Sequence, residues 1–198
     1  MTRYLFRPLS VPAAAFLART PVTPIQVTWV SACIAFLGAI AFAVDQYVVG
    51  AALTFAAVIT DCIDGDLARV TGRSSRRGAF LDSVLDRWMD AAMLLGLGLS
   101  DFERYGALAA IAMVGSLLTS YTRARAQSLG ADCPEGIGGR DTRILVIVVT
   151  AVFGWISQGL VIVAVLGTLT SVHRTIVGGR ALRRLDTDTT SSAADTSR

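Results

Sequence analysis

The sequence predicts an all-α, polytopic membrane protein with six transmembrane helices and an N-terminal interfacial amphipathic segment. Its 198 residues are 53% hydrophobic, with a mean hydropathy of +0.57, whereas soluble domains are roughly 45–50% apolar. Helices that are hydrophobic on every side need a membrane or a large protein core, and this chain is too short for a large core. Arginines recur between the apolar stretches, as membrane topology requires. A soluble six-helix bundle is the less favoured alternative.

Two polar segments flank the apolar region. Residues 1–24 alternate apolar side chains with three arginines, as in a helix that lies in the membrane interface. Residues 178–198 end in a run of Asp, Thr, Ser and Ala, which buries too little apolar surface to order itself, so a disordered tail is expected. The region between them, 25–177, is predicted to form one membrane domain.

Six apolar stretches within this domain are candidate spans. They cover residues 25–44, 47–58, 88–99, 105–118, 144–156 and 160–172. Because crossing a bilayer takes roughly 20 residues, the second span is expected to continue through Asp61 and Asp64. For the same reason the third span begins near Phe80 and includes acidic residues, and the fifth begins near Arg143.

Arginines cluster in alternate connections between these spans. One side of the membrane would hold Arg3, Arg7, Arg19, Arg69, Arg73, Arg76, Arg77, Arg123, Arg125, Arg140, Arg143, Arg174, Arg180, Arg183 and Arg184. The connections on the other side contain Arg104. Since Lys and Arg are enriched in cytoplasmic loops, both termini are predicted to be cytoplasmic, in a multi-pass protein of the cell membrane.

Aspartates cluster at one end of the second and third spans. They are Asp61, Asp64, Asp66, Asp82, Asp86 and Asp90. Helical spacing puts the members of each span on one face, and a short loop makes the spans antiparallel, so the two acidic faces can meet near the cytoplasmic surface. Facing carboxylates repel unless a cation neutralises them, and all-oxygen ligands favour Mg²⁺ or Mn²⁺. A salt-bridge network with arginines such as Arg69 and Arg87 is the alternative.

Gly65 follows Asp64 in the second span and costs a helix about 1 kcal/mol relative to alanine. The usual compensation is the close approach of a ligand or of another backbone. Ala68 lies about one turn later. Gly65 and Ala68 together leave a strip of the helix surface without large side chains, which we call the bare strip, and Arg69 is within reach of a phosphate bound there. A nucleotide or diphosphate is therefore one candidate ligand, and a tight helix crossing is the alternative.

Eight residues of this region stand at fixed spacings, in the pattern Asp61-x2-Asp64-Gly65-x2-Ala68-Arg69-x8-Gly78-x3-Asp82-x3-Asp86. This pattern resembles the complete signature of the CDP-alcohol phosphotransferase family, over about residues 23–174. The resemblance implies transfer of a substituted phosphate group from a CDP-alcohol to the hydroxyl of a polar acceptor, with release of CMP. It implies one or two divalent ions held by Asp61, Asp64, Asp82 and Asp86. Asp86 would also act as the catalytic general base.

The resemblance also implies a set of contacts with CDP. They are Gly65, Ala68, Arg69, Ser75 and Gly78 in the signature region, and Ile25, Gln26 and Thr28 at the start of the first span. Residues 23–28 resemble the Thr-Pro-Asn or Thr-Pro-Asp opening of the family's first span, but Ile25 stands where the Asn or Asp would be. A contact by Ile25 would therefore use its backbone. Thr23 and Pro24 also fit an N-cap followed by a first-turn proline.

Arginines at three helix ends resemble the acceptor site of phosphatidylinositol-phosphate synthases. They are Arg123, Arg143 and Arg174, with Arg123 in Ser-Tyr-Thr-Arg-Ala-Arg where those synthases have lysine. Guanidinium binds phosphate bidentately, so the resemblance implies a phosphorylated polyol acceptor, inositol phosphate first and glycerol phosphate second. Ordinary topological charge or contact with anionic lipid is the alternative.

The nearest resemblance is to phosphatidylinositol-phosphate, archaetidylinositol-phosphate and di-myo-inositol-phosphate phosphate synthases. The last of these use CDP-inositol as donor, and the residues that resemble them are Asp66, Asp90, Gly139-Arg140-Asp141 and Val172-His173-Arg174. A lipid donor, carrying diacylglycerol or archaeol, is preferred because the signature recognises CMP and phosphates rather than the alcohol beyond them. The family also implies a homodimer in contact with membrane lipids, and no nucleic-acid partner is expected.

Two other functions stay open from the residues alone. Intramembrane prenyltransferases also use aspartate clusters, Mg²⁺ and a diphosphate, but they need more spans and have no reason to carry the glycine and arginine positions of the signature. A small cation-coupled transporter would spread its acids across the depth of the membrane. The acids of this chain instead lie at one end of two neighbouring helices.

Overall fold

The computed structural model describes residues 2–133 and 138–196, with side chains described between Ser10 and Thr187. Seven α-helices make up this part of the chain, so the predicted all-α class is confirmed. In chain order they are α1 (Thr2–Leu17), α2 (Pro24–Ala43), α3 (Tyr47–Val70), α4 (Arg76–Ser100), α5 (Phe102–Ser128), α6 (Arg140–Val152) and α7 (Ile156–Thr196). Helices α2 to α7 correspond in order to the six predicted apolar stretches.

The start of α2 is set by a capping box. The Thr23 hydroxyl accepts a hydrogen bond from the Gln26 backbone N–H at 3.4 Å, and the Gln26 side chain accepts one from the Thr23 N–H at 2.8 Å. Pro24 occupies the first turn, where its missing N–H costs nothing. The predicted N-cap and first-turn proline are therefore confirmed.

Four helices in the described residues are long and apolar enough to cross a membrane. They are Pro24–Ala43, Tyr47–Val70, Phe102–Ser128 and Ile156–Thr187. Helix α4 has 25 residues but carries several charges, and α6 has 13 residues, which make about 20 Å of helix against a hydrocarbon core of about 30 Å. A membrane protein is therefore supported, whereas helix length and composition do not confirm six spans.

Small residues allow the closest approaches between helices in the bundle. An added Cβ at Gly96 of α4 would lie 2.2 Å from the carbonyl oxygen of Ala39 in α2. An added Cβ at Gly115 of α5 would lie 2.9 Å from the backbone nitrogen of Thr168 in α7. Larger apolar side chains fill the interior, including Phe42, Leu94, Leu97, Ile147 and Leu160. The outer surface is also apolar, with exposed side chains such as Trp29, Leu95, Ile111 and Val165.

The segments that flank the predicted membrane domain are helical in the described residues. Residues 2–17 form α1, which packs against α3 with the Ala14 side chain fully buried. Helix α7 runs to Thr196. Within it, Ala181 and Leu182 pack against the buried cluster that contains Cys133. The disordered tail over residues 178–198 stays a prediction.

Candidate active site

Helices α3 and α4, which carry the predicted acidic residues, both pack against α2. The chain turns between them at Gly72, whose φ of 64° lies in the left-handed region that favours glycine. Ser75 caps α4, because its Oγ accepts a hydrogen bond from the Gly78 backbone N–H at 3.0 Å. Two predicted CDP contacts, Ser75 and Gly78, therefore form the first turn of α4.

Asp61 and Asp64 of α3 and Asp82 of α4 form one group of carboxylates, which we call the acidic cluster. One oxygen from each residue lies within 4.8 Å of the other two, a spacing that lets a single divalent cation contact all three. Asp61 Oδ1 is buried and has no hydrogen-bond partner among the described residues. The expected meeting of the two acidic faces is confirmed, and these oxygens suit Mg²⁺ or Mn²⁺.

The predicted CDP contacts of the first span lie on three sides of α2. Thr28 is buried and donates from its hydroxyl to Asp64 Oδ2 at 2.5 Å, so it holds a member of the acidic cluster. Gln26 is exposed and its side chain caps the helix at Thr23. Ile25 is half-buried beside it. The three residues therefore have different surroundings: Thr28 binds a carboxylate, Gln26 caps the helix, and Ile25 is a half-buried apolar side chain.

Asp86 and Asp90 continue the acidic face of α4, but they pair with Arg140, the first residue of α6. We call these three residues the ion-paired group. Arg140 Nη1 lies 2.6 Å from Asp86 Oδ1 and 3.0 Å from Asp61 Oδ2, and its Nε donates to Asp90 Oδ1 at 3.0 Å. Asp86, the predicted base, is therefore the member of the ion-paired group at the border with the acidic cluster.

Arg140 is a site residue that the sequence prediction missed. It lies 79 positions from Asp61, so no local pattern connects them. In the sequence it stands in the Gly-Gly-Arg-Asp segment before the fifth apolar stretch, a position that indicates topological charge or the donor likeness.

The bare strip on α3 is open on the side of Gly65. An added Cβ at Gly65 would meet Arg69 Nη1 and Nη2 at 3.8 Å and no other described atom within 4 Å. A tight helix crossing therefore does not explain this glycine, and the close approach of a ligand remains. Ala68 is half-buried, and the Arg69 side chain is 53% exposed and pairs with Asp66 at 2.5 Å.

Two of the three predicted acceptor arginines are buried. Arg143 is 3% exposed and donates to the Gly138 carbonyl at 2.9 Å. Arg174 is 5% exposed and donates to the Thr119 carbonyl at 2.7 Å. Gly138, the partner of Arg143, packs against Thr170 of α7, about one turn before Arg174, so the fold brings the two arginines into the same region. Arg123 is half-buried on α5.

The helical bundle, its apolar outer surface and a carboxylate cluster beside an open glycine strip define a class of membrane-associated proteins with a polar site at one end of the helices. A family model described as CDP-alcohol phosphatidyltransferase matches residues 21–172. The chain belongs to the CDP-alcohol phosphatidyltransferase family, whose members are transferases of substituted phosphate groups. The family resemblance predicted from the signature is confirmed.

Similar proteins share most of the chain. It is 33% identical to an archaetidylinositol phosphate synthase of Pyrococcus horikoshii, over 80% of this chain and 84% of that protein. It is 39% identical to a bifunctional IPC transferase and DIPP synthase of Rubrobacter xylanophilus, over 78% of this chain and 37% of that protein. A crystal structure of Mycobacterium tuberculosis phosphatidylinositol phosphate synthase with CDP-DAG bound matches with a TM-score of 0.78 at 28% identity, covering 86% of this chain and 94% of that one. A second crystal structure of that synthase contains manganese and citrate.

Proposed function

We propose that this chain transfers a phosphatidyl or archaetidyl group from a CDP-alcohol lipid to a hydroxyl of a phosphorylated polyol and releases CMP. Inositol phosphate is the first candidate acceptor. The observation that carries the proposal is the acidic cluster beside the open strip at Gly65 and Arg69. Support comes from relatives named archaetidylinositol phosphate synthase and phosphatidylinositol phosphate synthase, the latter crystallised with CDP-DAG.

The acidic cluster is the proposed site for one or two divalent ions, Mg²⁺ or Mn²⁺. Its residues fit such an ion because three carboxylates converge and Asp61 Oδ1 has no other hydrogen-bond partner in the described residues. Asp86 would complete the set from the border of the cluster. A bound divalent ion supplies polarisation of the diphosphate and stabilises charge on the leaving CMP. The manganese in the mycobacterial relative supports this assignment.

Asp86 is the proposed general base. In the transfer, the acceptor oxygen forms a bond to the phosphorus that carries the donor alcohol, and the bond from that phosphorus to the phosphate oxygen of CMP breaks. The acceptor hydroxyl gives its proton to an Asp86 carboxylate oxygen. Arg140, 2.6 Å from Asp86 Oδ1, orients this carboxylate.

The donor nucleotide is proposed to lie along the bare strip of α3. Gly65 and Ala68 leave space for it, and Arg69 extends over that space. Ser75 and Gly78 would contact it from the first turn of α4. Ile25 and Gln26 would flank it at the start of α2, and Thr28 would act through Asp64.

The acceptor phosphate is proposed to bind to Arg143 and Arg174, with Arg123 nearby on α5. Backbone carbonyls hold the two buried guanidinium groups, so their geometry is set before an anion arrives. Guanidinium groups held in this way suit a phosphate, which they bind through paired hydrogen bonds. This assignment distinguishes a phosphorylated acceptor from a neutral one such as free inositol.

The membrane arrangement is proposed to have six spans, α2 to α7, with both termini and the active site on the cytoplasmic side. Helix α4 supports this because it exposes apolar side chains, including Phe80, Trp88, Leu95 and Leu99, while its Asp86 and Asp90 face Arg140. Helix α6 likewise exposes Leu145, Val149 and Val152. A homodimer is proposed from the family resemblance alone.

The decisive experiment measures CMP release by purified protein in lipid nanodiscs with Mg²⁺ or Mn²⁺. The donors are CDP-diacylglycerol, CDP-archaeol and CDP-inositol, each crossed with inositol phosphate, glycerol phosphate, serine and free inositol. We expect CMP release to be fastest for a lipid donor with inositol phosphate. Absence of CMP release from every pair would overturn the proposal.

A second candidate uses CDP-inositol as donor. It is favoured by the likeness to the Rubrobacter xylanophilus protein, of which the chain spans little more than a third. The structure gives Asp66 and Asp90, two residues behind this alternative, arginine partners within the protein. Faster CMP release from CDP-inositol than from either lipid donor would decide for it.

A further inference from the structure

Asp66 is a buried carboxylate next to the acidic cluster but outside it. It is 5% exposed. Its Oδ2 accepts a hydrogen bond from the Ser10 hydroxyl at 2.5 Å, and its Oδ1 accepts one from Arg69 Nη2 at 2.5 Å. One carboxylate therefore connects α1 to the arginine of the donor strip. The family match begins at residue 21, so Ser10 lies outside it.

The Arg69 guanidinium lies over the bare strip. Both of its terminal nitrogens are 3.8 Å from the position that a Cβ would take at Gly65. Its side chain is 53% exposed, and an unrestrained arginine carries about 2 kcal/mol of rotamer entropy. A partner that holds the guanidinium in place before the ligand binds lowers the entropy cost of binding. Asp66 is that partner.

Packing of α1 fixes the position of Ser10. Ser10, Ala14 and Leu17 recur at helical spacing and share one face of α1. Ser10 is 1% exposed, Ala14 is fully buried, and the apolar members of this face pack in one cluster with Ile63 and Leu67 of α3. The apolar contacts of α1 with Ile63 and Leu67, which flank Asp66 on α3, therefore hold the Ser10 hydroxyl against Asp66.

We infer that Ser10 and Asp66 are positioning residues for the donor. Ser10 holds Asp66, and Asp66 holds the Arg69 guanidinium over the strip at Gly65, where the diphosphate of the CDP-alcohol lies. This inference rests on the proposed function for the place of the diphosphate. It makes α1 a part of the donor site, in addition to its contact with the bundle.

The first test compares steady-state kinetics of full-length variants in nanodiscs. Ser10→Ala is expected to raise the KM for the CDP-alcohol about two- to tenfold, the range of one lost hydrogen bond, with the acceptor KM and kcat unchanged. Asp66→Asn is expected to change the donor KM in the same direction by more. Ser10→Thr keeps the hydroxyl and is expected to restore the donor KM.

Ser31→Ala is the matched control. Ser31 is fully buried and donates to the Ala57 carbonyl between α2 and α3 at 3.0 Å, so its loss removes a comparable helix-to-helix hydrogen bond away from Arg69. The donor KM of Ser31→Ala should equal that of the wild type. A rise equal to that of Ser10→Ala would reduce the effect of Ser10 to general packing and overturn the inference.

A double-mutant cycle with Arg69→Gln tests the connection itself. If Ser10 acts through Arg69, Ser10→Ala adds no further rise in donor KM when Arg69 is already glutamine. An equal rise in both backgrounds would show that Ser10 acts by another route. A lower melting temperature with an unchanged donor KM would likewise overturn the inference.

Calorimetric titration of CDP in the presence of Mg²⁺ separates this inference from the proposed function. Weaker CDP binding by Ser10→Ala than by wild type, with no CMP release by either protein, would retain the positioning and overturn the transfer activity. CMP release by both proteins with the same donor KM would do the reverse. A wild-type protein that neither binds CDP nor releases CMP would overturn both.

Discussion

Asp82, Asp86 and Asp90 lie at four-residue steps along one face of α4, yet their partners differ. Asp82 belongs to the acidic cluster, in which one of its oxygens lies within 4.8 Å of oxygens of Asp61 and Asp64. Asp90 lies 3.0 Å from Arg140 and 3.7 Å from Arg143. Asp86 stands between these two regions, 2.6 Å from Arg140.

The difference shows that equal spacing on a helix does not give equal chemistry. In the ion-paired group Arg140 compensates the charge of Asp86 and Asp90, and it also reaches Asp61 of the acidic cluster. The three carboxylates of the acidic cluster converge, which favours a cation from outside. Helix α6 sets the border, because its first residue, Arg140, reaches α4 across 50 positions of sequence. The following variants change single residues of the two regions, of the arginines beyond them, or Arg140 itself.

Loss of the acidic cluster is expected to have the largest effect. Asp82→Asn should lower CMP release by about 10³-fold or more, because a divalent ion contributes several kcal/mol to stabilising the transition state. EDTA should abolish turnover by the wild type, and added Mn²⁺ should restore it. Asp101→Asn at the other end of α4 is the matched control and should keep full activity. Turnover by Asp82→Asn at the wild-type rate would contradict the metal assignment.

Substitution of Asp86 is expected to slow the chemical step without weakening the binding of CDP. Asp86→Asn should lower kcat about 10²- to 10⁴-fold, the usual contribution of a general base, while metal-dependent CDP binding stays mostly intact in calorimetry. Asp90→Asn, one turn further along the same face, is the comparison and should lose much less activity. Retained turnover in Asp86→Asn would remove Asp86 as the base.

The arginines beyond the ion-paired group are expected to affect the acceptor. Arg143→Lys keeps the charge but loses the planar guanidinium, so the KM for inositol phosphate should rise about 10- to 100-fold, with the donor KM unchanged. Arg180→Lys, an exposed arginine of α7, serves as control. An unchanged acceptor KM in Arg143→Lys would return this arginine to a structural role.

Substitution of Arg140, the arginine that contacts both the acidic cluster and Asp90, is expected to have the smallest effect. Arg140→Gln removes a positive charge beside Asp61 and Asp86, so Mn²⁺ should bind about tenfold more tightly, which corresponds to a coupling of about 1.4 kcal/mol. The melting temperature of the metal-free protein should fall, because Asp90 then keeps only the more distant Arg143, at 3.7 Å. Mn²⁺ affinity is measured by electron paramagnetic resonance. Weaker Mn²⁺ binding by the variant would show that Arg140 supports the ion rather than competing with it.

Much of the site could be predicted because its residues lie close together in the sequence. Asp61, Asp64 and Gly65 belong to one helical turn, and a short loop joins them to Asp82. Helical period and bilayer thickness place such residues on one face and at one end of two spans. The family signature rests on the same local spacings, which is why the matched family agrees with it.

The contacts that the sequence did not predict join residues far apart in the chain. Ser10 and Asp66 are 56 positions apart, and Thr28 and Asp64 are 36 apart. The length of α6 agrees with the fifth apolar stretch, residues 144–156, but the helix begins four residues earlier, at Arg140.

By itself, the sequence determined an apolar helical chain, its family, and a line of aspartates that must be compensated, since these follow from local periodicity, composition and the cost of unpaired charge. Only the tertiary arrangement brings Arg140 against Asp61, Asp86 and Asp90 and makes Asp61, Asp64 and Asp82 converge. These contacts depend on where α6 begins relative to α4, and the contact of Ser10 with Asp66 depends on how α1 docks on α3. Both are set by the packing of side chains distant in sequence, which no local pattern encodes.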